Sequence, residues 1–400
     1  MKIKKIFTIL ITFTIILFTN YYSLANNTIE LNASSALLID NRTNKILYNK
    51  DANKRLFPAS TTKIVTAIIV LENHSLNEEV TASYDAVMTI PSGYSTANIQ
   101  IGEVLTVEQL LELLLVHSAN DSANVLAEYA GGSIDSFVSM MNTKVNELGL
   151  TDTHFTNPYG LQEDNHYTTS HDLAVIMQYC LKNETFRKIS GQASCAIPAT
   201  NKSEPRKYSS TNELLIAGSR NYYPYLIAGK TGYTSKAGGC LVSVAYNNNL
   251  ELISVILNSN DRFGDTKKLF NYGYSNFSLK NIVNEDDIIT STNVKNAKKN
   301  SQNLDLKVTE NVPVLVNNND NLESISPQIE INSNIEAPIE EGQNLGKVSY
   351  TVNGVTYSTN LVASQNIEKS EVLTYLFYGF GIIILILLTY RIFASNKHKK

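Results

Sequence analysis

Ser60 and Lys63 stand three residues apart in Phe57-Pro58-Ala59-Ser60-Thr61-Thr62-Lys63, and a mostly apolar run, Ile64-Val65-Thr66-Ala67-Ile68-Ile69-Val70-Leu71, follows at once. A hydroxyl is a weak nucleophile until a base within hydrogen-bond reach takes its proton. A lysine can be that base when burial or a second cation lowers its pKa. On a helix, residues three apart project from one face. The exposed N–H groups of a first turn also favour negative charge developing nearby. The pair could therefore carry out nucleophilic attack, with Ser60 as nucleophile and Lys63 as general base. Both residue types are common, so the spacing alone proves little.

The elements that must position this pair are legible around it. Pro58 stands where a helix would begin, and Asn73 where it would end. The run after Lys63 has no polar face, which predicts a helix buried on all sides. Thr106 is the expected N-cap of a second helix, over 107–116. The segment His117-Ser118-Ala119-Asn120-Asp121-Ser122-Ala123-Asn124 then holds Ser-x-Asn twice. The second copy runs into Val125-Leu126-Ala127-Glu128-Tyr129, which reads as helix. The first falls in the gap between helices, where side chains can face a cleft. Ser118 and Asn120 are thus the candidates, and Ser122 and Asn124 are helix-start residues. Leu226-Ile227-Ala228-Gly229-Lys230-Thr231-Gly232 turns from apolar to sharply polar and reads as a strand. Its glycines at 229 and 232 let another backbone approach.

Composition bounds the rest. The chain has 400 residues, enough for two domains plus targeting segments, with 43% hydrophobic and 18% charged residues, as in ordinary globular proteins. A net charge of -4 argues against a nucleic-acid partner. The three cysteines, Cys180, Cys195 and Cys240, show no metal-ligand spacing, and neither a metal, a cofactor nor a structural disulfide is expected. Lys2, Lys4 and Lys5, the apolar stretch 6–18 and Ser23-Leu24-Ala25 read as a signal peptide cleaved after Ala25. Residues 372–393 are apolar, with Arg391 the only charge and a lysine tail beyond. That predicts a transmembrane anchor with its basic tail in the cytoplasm and the body of the protein outside.

Between these ends, Ala36–Asp40 and Lys45–Tyr48 read as a hairpin about Asn41-Arg42-Thr43-Asn44. Ser133 caps a helix that stops at Gly149, and Thr169 or Ser170 starts another that runs through Leu181. His166 and His171 lie beside such caps, where histidines are most often structural. Strands at 238–246 and 250–257 surround an asparagine turn, and a helix is expected over 266–277. From Ser278 the chain becomes rich in Asn, Asp, Glu and Lys with short β-like pieces, among them a hairpin turned by Asn353-Gly354. The domains expected are a signal peptide at 1–25, a catalytic domain at 26–277, a small β-rich domain at 278–367 and the anchor at 368–400.

Ser-x-x-Lys at Ser60, Ser-x-Asn at Ser118 and Lys-Thr-Gly at Lys230, in that order and with the third on a strand, form a specific set. The chain resembles the serine penicillin-binding proteins, and more narrowly the low-molecular-weight D-alanyl-D-alanine carboxypeptidases. Asn157-Pro158-Tyr159-Gly160-Leu161, Asn212-Glu213-Leu214-Leu215 and Ala237-Gly238-Gly239-Cys240-Leu241 add to the resemblance, which covers about 31–277 strongly. It implies an α/β (α+β) fold with a mostly antiparallel sheet flanked by helices. It implies removal of the terminal D-alanine from peptidoglycan stem peptides ending in D-Ala-D-Ala, with β-lactam antibiotics as inhibitors. By the same resemblance Ser60 attacks, Lys63 takes its proton, and Ser118 and Asn120 relay a proton and hold substrate. Lys230 and Thr231 meet the substrate carboxylate, Gly232 lets substrate lie along the strand, and the N–H groups of Ser60 and Tyr233 form an oxyanion hole. Arg262 is a further candidate for carboxylate contact. The alternatives are a β-lactamase, which in class A needs a water-activating glutamate, a DD-endopeptidase, or a non-catalytic wall-binding protein held by its tail.

Overall fold

Strands that are covered on both faces form the centre of the N-terminal part. The computed structural model describes residues 29–397, so the expected signal peptide lies outside the described residues. β1 (Ser35–Asp40) and β2 (Ile46–Lys50) make the expected hairpin. Two short ribbons lie apart from it, β3 (Glu79–Thr81) with β4 (Val104–Thr106), and β5 (Ser194–Ile197) with β6 (Arg206–Ser209). The long strands are β7 (Leu226–Thr234), β8 (Gly238–Asn247) and β9 (Leu250–Ser259). They join β1 and β2 in an antiparallel sheet of order β2-β1-β9-β8-β7. Leu37, Ile39, Val242 and Val255 enter one core, while Ala36, Leu38, Leu241 and Leu252 enter another. Successive side chains point to opposite faces. With both faces covered, the strands therefore read as mainly apolar runs, interrupted by Ser243 in β8 and by Glu251 and Ser254 in β9. The β8–β9 turn places Asn248 and Asn249 at φ 50° and 63°, as a tight two-residue hairpin requires.

One face of the sheet meets α1 (Lys63–Asn73), α2 (Tyr84–Met88), α3 (Val107–Glu112), α4 (Asn120–Gly131), α5 (Ile134–Glu147), α6 (Ser170–Cys180) and α7 (Glu184–Ser190), all of which contribute to a shared core. The other face meets α8 (Arg262–Asn276) through Leu269 and Phe270. Every residue of α1 from Lys63 to Val70 is buried, as its apolar run foretells. Thr106, Ser133 and Thr169 cap their helices through side-chain oxygens, Thr106 in a reciprocal box with Gln109.

Three local departures matter. Ser60 lies in a 3-10 turn, Ala59–Thr62, because Ala59 sits at φ 48° and breaks the helix before α1 can start. The helix begun at Val107 loosens into a π-helical turn, Leu113–His117, and ends with Ser118 at φ 67°. α8 begins at Arg262 and not at 266, because the Asp261 carboxylate accepts the Gly264 N–H at 3.0 Å.

The C-terminal part is all β apart from a short 3-10 turn, Leu322–Ser324, and a last helix. β10 (Phe277–Val283), β11 (Ile288–Asn293), β12 (Asn303–Lys307), β13 (Val312–Asn317), β14 (Gln328–Ile331), β15 (Asn344–Val352) and β16 (Val355–Ala363) follow one another. β10 pairs with β13, and the others form a sheet of order β11-β12-β16-β15-β14. β13 is the seam. Val314 and Val316 enter the β core, Leu315 enters the core under α8, and Arg42 donates to the Pro313 carbonyl at 2.8 Å. The last helix, α9 (Val372–Lys397), has 26 residues. Among the described residues no helix is long and apolar enough to cross a membrane. The expected span at 372–393 is therefore not borne out.

Candidate active site

The 3-10 turn, the end of the π turn and strand β7 converge on one place. Lys63 is fully buried, and its Nζ lies 2.9 Å from Ser60 Oγ, 2.7 Å from Asn120 Oδ1 and 2.9 Å from the Tyr159 carbonyl. The last two partners can only accept. A neutral amine donating to both would turn its lone pair towards the Ser60 hydroxyl. Burial first, and the Lys230 cation second, push the Lys63 pKa well below its usual value, with Asp121 opposing them.

Lys230, on β7, is 1% exposed. Its Nζ donates to Ser118 Oγ at 2.8 Å and to the Thr231 carbonyl at 3.0 Å. Burial and the Arg262 guanidinium lower its pKa to about 7. Two hydroxyls thus each face a buried lysine. The left-handed Ala59 and Ser118 flank the site, a strained conformation for residues with a Cβ and one that concentrates at functional positions.

Gly232 explains how strand and nucleophile meet. A Cβ there would lie 2.9 Å from both the Pro58 carbonyl oxygen and Ser60 N. Only glycine lets β7 run so close to the turn. Tyr233, next along, is 67% exposed at the rim. Arg262 donates to the Gly232 carbonyl at 2.9 Å, so it braces the strand. A cleft of about 970 Å³ opens beside Tyr233, Gly239, Asp261 and Arg262, and neither Ser60 nor Lys63 lines it. All nine candidate residues therefore lie in one region, with Arg262 at its edge.

Ser122 and Asn124 fall away from the site, as expected. Ser122 donates to the Leu110 carbonyl at 2.5 Å, and Asn124 to the Ala86 carbonyl at 3.2 Å. His166 is buried and accepts the Thr156 N–H at 3.1 Å through Nδ1, while its Nε2 lies 2.9 Å from Thr62 Oγ1. Burial holds its pKa at about 3. It is a neutral strut between the Ala59–Thr62 turn and the 156–161 loop. The His171 ring lies 3.2 Å from the Asp172 carboxylate, and its backbone N–H donates to the Ala52 carbonyl at 3.0 Å.

Three participants escaped the sequence reading. The Tyr159 carbonyl is a backbone group with no sequence signal of its own. Thr211 Oγ1 lies 2.5 Å from Thr231 Oγ1. It sits in Ser210-Thr211-Asn212, just before Asn212-Glu213-Leu214-Leu215, and no local signal ties it to the site. Asp121 follows Asn120 directly and is 1% exposed, which only the fold reveals. Among the described residues no carboxylate oxygen is hydrogen-bonded to Ser60, Lys63, Ser118 or Lys230. The glutamate a class A β-lactamase requires thus has no counterpart bonded there.

Comparison with known proteins bears on the family of the chain. Residues 22–261 match the D-alanyl-D-alanine carboxypeptidase family, and residues 277–369 match the C-terminal domain of penicillin-binding protein 5. The D-alanyl-D-alanine carboxypeptidase DacF of Bacillus subtilis is 31% identical over 352 residues, which cover 86% of this chain and 88% of the relative. A crystal structure of a peptidoglycan synthesis regulatory factor (PBP3) from Streptococcus pneumoniae is similar with a TM-score of 0.71 at 28% identity, covering 85% of this chain and 100% of that one. Penicillin-binding protein 5 of Haemophilus influenzae gives a TM-score of 0.65 at 27% identity, covering 85% and 99%.

Proposed function

The chain belongs to the D-alanyl-D-alanine carboxypeptidase family and is a serine-type hydrolase acting on peptidoglycan, and from that premise we propose that it releases the terminal D-alanine through an acyl-enzyme on Ser60. The observation that carries the mechanism is the 2.9 Å contact between Lys63 Nζ and Ser60 Oγ in a fully buried setting. Neutral Lys63 takes the hydroxyl proton as Ser60 attacks the penultimate D-alanine carbonyl. The N–H groups of Ser60 and Tyr233 receive the developing oxyanion. Ser118, which accepts from Lys230 at 2.8 Å, relays the proton that Lys63 took to the departing amine, which leaves Lys63 neutral for the attack of water. Lys230 and Thr231 meet the substrate carboxylate, and Thr211 holds the Thr231 hydroxyl in place. Asn120 anchors Lys63 and the substrate backbone. Arg262 acts through the Gly232 carbonyl and adds positive potential for the carboxylate. Water then releases the shortened peptide. Penicillin treatment followed by intact-mass spectrometry should give one adduct on the Ser60 peptide, absent in Ser60→Ala. An adduct elsewhere overturns the assignment.

The family acts outside the cytoplasm, on the wall. We read 26–277 as the catalytic domain, 278–367 as a β-rich stalk and 368–400 as the anchor. Support for the anchor is that Phe377, Leu385 and Leu387 are 75%, 65% and 60% exposed on α9, with none of the described residues covering them. The full chain should then need detergent for extraction. A chain ending at Glu368 should be soluble and active. Release of the full chain by high salt alone would refute the anchor, because burial of apolar surface is not screened by salt.

A further inference from the structure

Asp121 carries no substrate role in the mechanism above, yet it is built into the site. Three backbone N–H groups converge on its carboxylate. Ala97 N lies 3.0 and 3.1 Å from Oδ1 and Oδ2, Ile99 N 3.0 Å from Oδ2, and Ser122 N 2.9 Å from Oδ1. The segment it grips is joined to the Ser118–Asn120 motif from both sides. Asn120 N donates to the Ser95 carbonyl at 2.8 Å, and His117 Nε2 lies 3.2 Å from the Thr96 carbonyl. The far side of that segment is fixed too, since the Ala97 carbonyl accepts from Tyr208 Oη at 2.8 Å and Arg206 Nη1 at 3.3 Å. Asp121 is thus the pin between a packed loop and the first turn of α4.

We propose that Asp121 is a positioning residue for acylation: it clamps Ala97 and Ile99 to the start of α4, so that Asn120 stays on Lys63, and it sets a negative charge near the lysine. The proposal rests on Lys63 as the base. Lys63 is bonded to Ser60, the Asn120 amide and the Tyr159 carbonyl, and the charges that act on it are the Lys230 cation and the Asp121 carboxylate. Among the charged ones Lys230 favours the neutral amine and Asp121 the ammonium. A site with Lys230 alone would leave Lys63 deprotonated further into acid. Asp121 holds the loop in place while limiting that drift.

The test is the pH profile of acylation by a fluorescent penicillin, measured on the full chain in detergent. Asp121→Asn keeps the shape but turns an N–H2 group towards backbone N–H donors. Acylation should slow by about 10–100-fold. The acid limb should also move to lower pH, because Lys63 loses its anion. Asp121→Glu keeps the charge and displaces it by one methylene, so the limb should return to its wild-type position while the rate stays low. A residue that only supports the fold would reduce the active fraction without moving the limb, and that result overturns the proposal. So does a wild-type rate and limb in Asp121→Asn. If Asp121→Asn gives no cooperative unfolding transition, Asp121→Glu decides, and a wild-type rate there refutes the clamp. Ser60→Ala, run alongside, separates the two readings. Labelling that survives in it removes the Ser60 mechanism itself, whatever Asp121 does.

Discussion

Gly232→Ala should disable the enzyme while leaving most of its stability. The added Cβ would sit 2.9 Å from the Pro58 carbonyl oxygen, 2.9 Å from Ser60 N and 3.1 Å from Ala59 Cβ. An ordinary contact begins near 3.4 Å, so the strand and the nucleophile turn must separate by about 0.5 Å. Two of the three neighbours are backbone atoms and cannot rotate away. Overpacking of this kind costs about 1–3 kcal/mol of stability. Its effect on rate should be larger, since the displaced atoms are the Ser60 nitrogen and the strand that carries Lys230 and Thr231. A shift approaching 1 Å can lower a rate about 100-fold, so a loss of about 10–100-fold in penicillin acylation is expected. Stopped-flow acylation, read beside thermal unfolding, measures both. Acylation within twofold of wild type, with an unchanged melting temperature, would show that β7 does not press on the turn and that the proposed oxyanion hole is misplaced.

Other outcomes follow from the same contacts. Lys63→Arg keeps the charge but cannot give it up, so it should abolish acylation in a protein that still unfolds cooperatively; near-normal acylation would end the base role. Ser118→Ala and Asn120→Ala should cut turnover of a D-alanyl-D-alanine peptide about 100-fold or more. Ser122→Ala and Asn124→Ala, whose side chains bond Leu110 and Ala86, should instead lower stability by about 1 kcal/mol each, and the opposite ranking would move the site. Lys230 titrates at about 7 in the free enzyme, so its cation is lost as pH rises, and KM for a peptide with a free carboxylate should climb above that pH. Lys230→Arg should flatten the climb, and a flat wild-type profile would remove Lys230 from carboxylate binding.

Much of this arrangement could be read from residue order, because the relevant signals are local. The apolar runs of β1, β8 and β9 stop at glycine and asparagine, and the caps at Thr106, Ser133 and Thr169 mark helix starts. What stayed hidden depends on contacts across the fold. Leu113-Leu114-Leu115-Val116 continues the helical pattern begun at Val107, so nothing local announces a π turn or the left-handed Ser118 beyond it. Ala59 likewise reads as helix and takes positive φ only where Gly160 packs beneath it, with a would-be Cβ 1.9 Å from the Ala59 carbonyl oxygen. Thr211 and Thr231 are twenty positions apart and meet only because β7 brings them together. α8 starts at Arg262 because Asp261 caps it, so Thr266, the expected start, falls inside the helix.

The two buried lysines tie the legible part to the hidden part. Removing an ammonium from water carries a penalty of several kcal/mol, so neither Lys63 nor Lys230 could be buried by local preference. The core imposes it. Apart from Thr66, α1 is apolar from Ile64 to Val70 and buried over that stretch, and its first residue is drawn in with it. Lys230 lies in the middle of β7, an edge strand paired with β8, and is nonetheless 1% exposed. Burial lowers both pKa values, and the mutual repulsion of two cations makes one neutral amine the favoured state. The same apolar run that identifies a buried helix in the sequence is therefore the physical source of the base. A surface helix carrying Ser-x-x-Lys would present the same spacing with a fully charged lysine and no nucleophile.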